Sequence, residues 1–178
     1  MSKLKNKRIF LTGHTGFKGG WLLAILKQLG AEVMGYSLAP NTNPSLFDVI
    51  KGTELCHSVI GDIRDAEYLH KCMTDFQPDV VFHLAAQPIV RTSYKIPAET
   101  FEVNAIGTAN VLDGIRLLGK PCVGVMITTD KVYQNNETDW HFIVRIANQY
   151  GIPVFTDSRQ DGAVVSLGAI GFASKELD

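Results

Sequence analysis

The stretch RIFLTGHTGFKGGWLLAILKQLG, residues 8–30, determines the fold class of this protein. Its first part, RIFLTG (8–13), is an apolar run typical of a buried strand, and GWLLAILKQLG (20–30) has apolar residues at helical spacing. The next run, EVMGYS (32–37), has the composition of a second strand. A strand, a glycine-rich turn, a helix and another strand in this order predict a β-α-β unit.

The same alternation continues along the chain. Three further apolar runs are typical of strands, and two stretches with helical spacing separate them: HSVIGDI (57–63), VVFHLAA (80–86) and VGVMITT (123–129) for the strands, 64–76 and 97–119 for the helices. Strands that are apolar on both faces and alternate with helices are typical of a parallel sheet with helices on both sides. We therefore predict an α/β fold, a doubly wound parallel sheet of the Rossmann type, with residues 38–56 as an irregular excursion.

Composition narrows the classes of function. Of the 178 residues, 46% are hydrophobic and 20% charged, and the net charge of −1 provides no electrostatic reason to expect nucleic acid or a membrane as partner. Cys56, Cys72 and Cys122 have neither the spacing of a zinc site nor an even number, so reduced thiols and no metal are predicted. No signal peptide or membrane-spanning run is evident, and a cytoplasmic location is expected.

The turn TGHTGFKG, residues 12–19, is the first candidate binding site. Gly13, Gly16 and Gly19 lie between a strand and a helix, where glycine permits a tight turn and a close approach of the backbone to a pyrophosphate. The phosphate charge then faces free amides at the helix N-terminus. The pattern predicts dinucleotide binding; the alternative is a tight turn with a purely structural role.

Two further positions bear on the dinucleotide. Neither an acid for the adenosine ribose nor an arginine for a 2′-phosphate stands in GYSLAP, where Tyr36 and Ser37 end the second strand, so the choice between NAD and NADP stays open. Asp62 follows the third strand and is placed to accept a hydrogen bond from an adenine amino group. The alternative for Asp62 is to cap the N-terminus of the helix that begins near Arg64.

Six segments carry a family resemblance: TGHTGFKGGWL, GYSLAPNTNPSLF, HSVIGDIRD, QPDVVFHLAAQPIVRTSY, PAETFEVNAIGTANVLDGIR and TTDKVYQN. In this order they resemble the extended short-chain dehydrogenase/reductase family, and within it the CDP-glucose 4,6-dehydratases. The resemblance extends over about residues 7–140. It implies a lyase that uses a tightly held NAD to oxidise a nucleotide-activated hexose, CDP-glucose, at C4, eliminates water across C5 and C6, and returns the hydride to C6. NADP is not excluded, and pairing of two copies through residues 97–119 is a further implication.

The resemblance also assigns roles to individual residues. The residues that it places at the cofactor are Gly13, Thr15, Gly16, Phe17, Gly19, Asp62, Ile63, Leu84, Ala85, Ala86 and Asn104. It implies that Thr129 bonds the C4 hydroxyl, that Asp130 protonates the departing C6 oxygen, and that Lys131 is the elimination base or its organiser. The last two roles oppose each other, because a nearby ammonium lowers the pKa of a carboxyl that must donate a proton. The alternative is a turn with a solvated ion pair.

The remainder of the chain departs from the family pattern. This family transfers hydride with a tyrosine four residues before a lysine, but the near match GFASK (171–175) has Gly171 in the tyrosine's place, which predicts impaired catalysis. The expected organisation is a dinucleotide-binding domain of residues 1–140 and a divergent helix–strand–helix tail (141–151, 152–158, 161–178) packed on it, without the family's C-terminal substrate domain. A dinucleotide-binding remnant or interaction module without turnover is the alternative function. His83, inside an apolar run, is expected to be a hydrogen-bonded core residue rather than a catalytic one.

Overall fold

The structure, a computed structural model, describes residues 3–128 and the backbone of two later strands, 154–157 and 164–167. In chain order the elements are β1 (Arg8–Thr12), α1 (Phe17–Gln28), β2 (Glu32–Ser37), α2 (Leu46–Val49), α3 (Gly52–Leu55), β3 (His57–Ile60), α4 (Ala66–Phe76), β4 (Val80–His83), α5 (Val90–Ser93), α6 (Pro97–Phe101), a π-helical turn (Glu102–Ile106), α7 (Gly107–Leu117), β5 (Val123–Met126), β6 (Val154–Asp157) and β7 (Val164–Leu167).

Five strands form a parallel sheet in the order β3-β2-β1-β4-β5. The direction in which strands are added reverses between β1 and β4, and Thr12 at the end of β1 lies opposite His83 at the end of β4. In such sheets the ligand crevice lies outside the carboxyl ends of the strands at this reversal. The predicted fold class is therefore confirmed, and the glycine turn follows the strand at the reversal.

Alternate side chains of β1 enter two separate cores, as expected for a strand that is buried on both faces. Phe10 packs on one face with residues of α4 and α7, including Leu69 and Val111. Ile9 and Leu11 pack on the other face with residues of α1 and β2. Each fully buried side chain of this size contributes about 1.5–3 kcal/mol. Burial on both faces explains why the strand is apolar at every position from 9 to 11.

The structure revises several predicted boundaries. The helix predicted over 97–119 is interrupted by the π-helical turn, and β4 ends at His83, so that residues 84–86 form a loop. Helix α4 begins at Ala66 and is capped by Asp65, whose side chain accepts a hydrogen bond from the amide of Tyr68 at 3.1 Å. The capping role considered for Asp62 is therefore wrong, because Asp65 occupies the N-cap position.

The chain divides into two units, Met1–Thr128 and Thr129–Asp178. In the second unit β6 and β7 pair antiparallel, with Val154 opposite Leu167. The strand predicted over 152–158 is confirmed at 154–157, whereas the helix predicted over 161–178 is wrong at 164–167. Two adjacent β-branched residues, Val164 and Val165, favour extended backbone there. Among the described residues, no helix combines the length and apolar character needed to cross a lipid bilayer.

Candidate functional site

The glycine turn after β1 has the backbone conformation that its sequence predicts. Gly13 adopts a φ of 75°, in the left-handed region that favours glycine. Its amide donates to the carbonyl of Tyr36 at 3.0 Å, and its carbonyl accepts from the amide of Gly16 at 3.1 Å. These bonds turn the chain from the end of β1 directly into α1.

Close packing explains why two of the glycines cannot carry a side chain. A Cβ on Gly19 would overlap the carbonyl oxygen of Gly13, and a Cβ on Gly13 would lie 2.8 Å from the amide nitrogen of Ala85. Both obstacles are backbone atoms, which cannot move aside as the end of a flexible side chain can. The turn is thus packed between the start of α1 and the loop after β4.

The N-terminus of α1 faces the turn without a side-chain cap. Gly16 is the N-cap residue, and the first turn of the helix contains no acidic residue. Among the described residues, no side chain bonds the first amides of this helix, which lie at the positive end of its dipole. Phe17, predicted at the cofactor, is 72% exposed, and Lys18 is exposed beside it. This arrangement suits a phosphate group.

The end of β2 is held to the turn by hydroxyl groups. The Oγ1 atom of Thr15 lies 2.5 Å from Oγ of Ser37 and donates to the carbonyl of Leu38 at 2.8 Å. The phenol of Tyr36 donates to the carbonyl of Asp62 at 3.0 Å, and burial raises the pKa of this phenol. Thr15 thus holds the turn to the loop that follows β2, and the hydroxyl groups of Tyr36 and Ser37 are already bonded within the protein.

Asp62, predicted at the adenine, is held by Arg64. The Nε and Nη2 atoms of Arg64 donate to Oδ2 of Asp62 at 2.9 and 2.6 Å. Hydrogen bonding to this guanidinium lowers the pKa of Asp62. Arg64 also lies 3.3 Å from Glu99 of α6, and Ile63 beside it is buried against Gly107. The Asp62 carboxylate therefore stays ionised as a hydrogen-bond acceptor, while the Ile63 side chain packs in the core and the Ile63 carbonyl accepts from Asn110 at 2.9 Å.

The loop after β4 is held from two sides. The amides of Leu84 and Ala85 both donate to Oγ1 of Thr12 at 3.1 Å. On the other side, the Asn104 amide group accepts from the backbone N–H of Gln87 at 2.7 Å and donates to its carbonyl at 3.0 Å. Asn104 belongs to the π-helical turn, a feature common at functional sites. Its side chain thus positions the loop that contains the predicted residues 84–86.

Two histidines lie buried behind this edge of the sheet. His83 is bonded on both ring nitrogens, by Thr12 at 2.7 Å and Thr108 at 3.0 Å, which confirms the predicted core role. His14 lies 2.7 Å from the hydroxyl of Ser58 through Nε2, and its ring meets the edge of Phe47. Burial lowers the pKa of each imidazole to about 4. Both are therefore neutral at pH 7.

Comparison with known proteins identifies the family. The GDP-mannose 4,6 dehydratase family matches residues 10–140. The chain belongs to this family. It is 47% identical over 138 residues to the CDP-glucose 4,6-dehydratase of Salmonella typhimurium, and 31% identical over 147 residues to the GDP-mannose 4,6-dehydratase of Vibrio cholerae. These alignments cover 78% of this chain in both cases, and 38% and 37% of the relatives.

Members of the family share this fold with sugar-nucleotide epimerases. The UDP-glucose-4-epimerase of Stenotrophomonas maltophila, solved with bound NAD and formylated UDP-arabinopyranose, superposes with a TM-score of 0.65 at 24% identity. The match covers 82% of this chain and 47% of that one. At this identity the likeness concerns the fold alone. The resemblance to sugar-nucleotide dehydratases that the motifs predicted is confirmed by the family match and the identity to the Salmonella typhimurium enzyme.

In this member of the dehydratase family, the predicted cofactor residues follow the carboxyl ends of strands β1, β3 and β4 or, for Asn104, lie in the π-helical turn bonded to the loop after β4. The predicted catalytic residues Thr129, Asp130 and Lys131 lie outside the described residues.

Sequence reasoning missed Arg64 and Thr108. The sequence does contain a signal for Arg64, because an arginine two residues after an aspartate on a short turn is placed to pair with that aspartate. Thr108 had no such signal, since its partner His83 is distant in sequence.

Proposed function

We propose that the described site binds NAD. The observation that carries this proposal is the glycine turn, in which Gly13 and Gly19 leave room only for backbone between the end of β1 and the start of α1. Gly16, Phe17 and the first amides of α1 would hold the pyrophosphate. A nicotinamide cofactor suits a site with this exposed, uncapped helix N-terminus at the reversal of the strand order.

The other predicted cofactor residues have distinct proposed contacts. Asp62 would accept a hydrogen bond from the adenine amino group, since Arg64 keeps its carboxylate ionised, and Ile63 would contribute its backbone. Residues 84–86 would line the nicotinamide side of the crevice, with Asn104 supporting them through Gln87. No charged side chain at the end of β2 selects between NAD and NADP, and the preference for NAD rests on the family resemblance.

We further propose that the chain contributes to a 4,6-dehydratase reaction on a nucleotide-activated hexose, with CDP-glucose as the substrate. The bound nicotinamide supplies a hydride acceptor for C4 and a hydride donor for C6. Thr129 is proposed to bond the C4 hydroxyl and Asp130 to protonate the departing C6 oxygen, with Lys131 as the base or its organiser. The chain spans well under half the length of the dehydratases that it matches, so the complete activity is a property proposed from the family.

A second candidate is NAD binding without turnover. The near match to the family's tyrosine–lysine pair, GFASK (171–175), has Gly171 in place of the tyrosine and lies farther beyond Lys131 than the family's layout puts the pair, and a glycine has no group that exchanges a proton. In that case the chain would bind the cofactor as a remnant or as an interaction module. Pairing of two copies through α6 and α7 is proposed in either case, because Phe101 and Leu112 expose apolar side chains there.

Titration calorimetry with NAD and NADP, followed by incubation with NAD and CDP-glucose, tests both candidates. Binding of NAD that is weakened at least tenfold in Gly16→Ala supports the site, whereas equal affinity in both proteins refutes it. Formation of a 4-keto sugar by the chain, lost in Asp130→Asn, supports the dehydratase proposal. Binding without product supports the second candidate. Incubation with GDP-mannose in place of CDP-glucose tests which nucleotide the substrate carries. Sedimentation analysis tests the pairing of two copies of the chain.

A further inference from the structure

A continuous chain of hydrogen bonds runs from the buried end of β1 through β4 to the partly exposed start of α7. Thr12 Oγ1 lies 2.7 Å from His83 Nδ1, and His83 Nε2 lies 3.0 Å from Thr108 Oγ1. Thr108 in turn donates to the carbonyl of Asn104 at 2.7 Å. Thr12 and His83 are also direct partners in the register of β1 and β4. The chain therefore links the end of two adjacent strands to the π-helical turn.

Counting donors at Thr12 determines where one proton lies. The Thr12 hydroxyl oxygen already accepts two backbone N–H groups at 3.1 Å, from Leu84 and Ala85, which uses both of its lone pairs. The Leu84 amide also reaches the carbonyl of Thr12, at the longer distance of 3.3 Å. The hydroxyl proton of Thr12 must then be donated, and among the described residues the acceptor within reach is Nδ1 of His83. Nδ1 of His83 is therefore unprotonated.

Counting at Thr108 leads independently to the same tautomer. A carbonyl oxygen only accepts, so the bond from Thr108 to Asn104 uses the hydroxyl proton of Thr108. The Thr108 oxygen can then only accept from His83, which places the proton of the neutral imidazole on Nε2. The hydrogen bonds of Thr12 and those of Thr108 thus indicate the same tautomer of His83 independently of each other.

We propose that His83, as the neutral Nε2–H imidazole, is a positioning residue that orients this hydrogen-bond chain and so holds the loop after β4 against the glycine turn. At one end of the hydrogen-bond chain, Thr12 fixes the amides of Leu84 and Ala85. At the other end, Thr108 fixes the backbone of Asn104, whose side chain holds Gln87. The loop is thus fixed at both of its ends by one ring. The role for cofactor binding rests on the proposed function, whereas the tautomer rests on the described hydrogen bonds alone.

A proton on Nδ1 would break this arrangement. Nδ1–H and the Thr12 hydroxyl proton would face each other, so Thr12 would have to release one of the two loop amides in order to accept from the ring. Because His83 is buried, with 3% of its surface exposed, water does not replace the lost partner without rearrangement of the loop. The neutral ring with its proton on Nε2 therefore matches the direction of both neighbouring bonds, since Nδ1 accepts from Thr12 and Nε2 donates to Thr108.

Nitrogen-15 NMR of the His83 imidazole, in the protein without cofactor at pH 7, tests the tautomer directly. We expect the His83 signals of a neutral ring with a protonated Nε2 and an unprotonated Nδ1. A ring protonated on Nδ1, or on both nitrogens, overturns the proposal. This measurement does not depend on NAD, so it remains decisive even if NAD fails to bind and the proposed function falls.

The positioning role is tested with a matched pair, Thr108→Ser and Thr108→Val. Valine has the shape of threonine without the hydroxyl, so it removes the acceptor for Nε2–H, whereas serine retains it. We expect Thr108→Val to weaken NAD binding about tenfold and to speed hydrogen exchange at the amide of Ala85, with Thr108→Ser close to the wild type. Thr53→Val, at an exposed threonine of α3, is the control for the substitution itself.

Hydrogen exchange separates positioning from a general loss of stability. Faster exchange at Ala85 and Gln87 with unchanged exchange in the core of β1, for example at Phe10, supports the proposal. Equal acceleration at all of these amides shows that Thr108→Val acts through global stability and overturns the positioning role. Indistinguishable behaviour of the serine and valine variants in NAD affinity and exchange also overturns it.

Discussion

Acid should destabilise this chain because His14 and His83 are buried as neutral imidazoles. Burial lowers the pKa of each from 6.5 to about 4. Since the folded-state pKa is the lower one, the unfolded chain takes up protons first as the pH falls. Stability is therefore fully present above about pH 7 and is lost progressively as the pH falls from 6.5 towards 4.

The size of the loss follows from the two pKa values. Between pH 7 and pH 5 each imidazole lowers the free energy of unfolding by about 2 kcal/mol, and the two together by about 4 kcal/mol. Between pH 7 and pH 5, ordinary aspartates and glutamates remain mostly ionised in both states, so this part of the loss is attributable to the histidines. A chain whose free energy of unfolding is about 5 kcal/mol at pH 7, the low end for native proteins, would lose most of it by pH 5.

Urea denaturation at pH 7, 6 and 5, followed by circular dichroism, measures this loss. In His83→Gln the side chain carries an acceptor and a donor but does not titrate, so the loss between pH 7 and pH 5 should fall to about 2 kcal/mol. A free energy of unfolding that is equal at pH 7 and pH 5 would refute the reasoning for both histidines. A loss in His83→Gln as large as in the wild type would refute it for His83.

Two further predictions concern the turn and the adenine end of the site. Gly19→Ala should lower stability by about 2 kcal/mol in thermal denaturation, because its Cβ displaces the carbonyl of Gly13, whereas Gly16→Ala, with its Cβ 3.4 Å from that oxygen, should change stability by less than about 1 kcal/mol. Equal losses in the two variants would contradict the packing argument. Arg64→Gln should raise the pKa of Asp62 towards its ordinary value in an NMR titration and weaken NAD binding, with little change in stability because the pair is partly exposed. An unchanged pKa of Asp62 would show that Arg64 does not hold the carboxylate.

The turn was the most predictable part of the site, because its chemistry is local. The spacing of Gly13, Gly16 and Gly19 between a strand and a helix requires little beyond the immediate neighbours to be interpreted. Helix α4 was also predicted closely, but Asp62, the cap residue considered for it, was wrong, because the backbone places Asp65 at the N-cap. Residues 164–167 were predicted wrongly because the helical spacing over 161–178 was given more weight than the β-branched pair Val164 and Val165, which favours the strand that pairs with β6.

The sequence by itself determined the fold class, the glycine turn and the family, because hydrophobic periodicity and short motifs express local backbone preferences that survive in the folded chain. Only the tertiary structure decided how the loop after β4 is held. The bonds of His83 to Thr12 and Thr108 join residues 71 and 25 positions apart. The proton on that ring is determined by the combined demands of neighbours from three elements, and no local pattern in the sequence contains them.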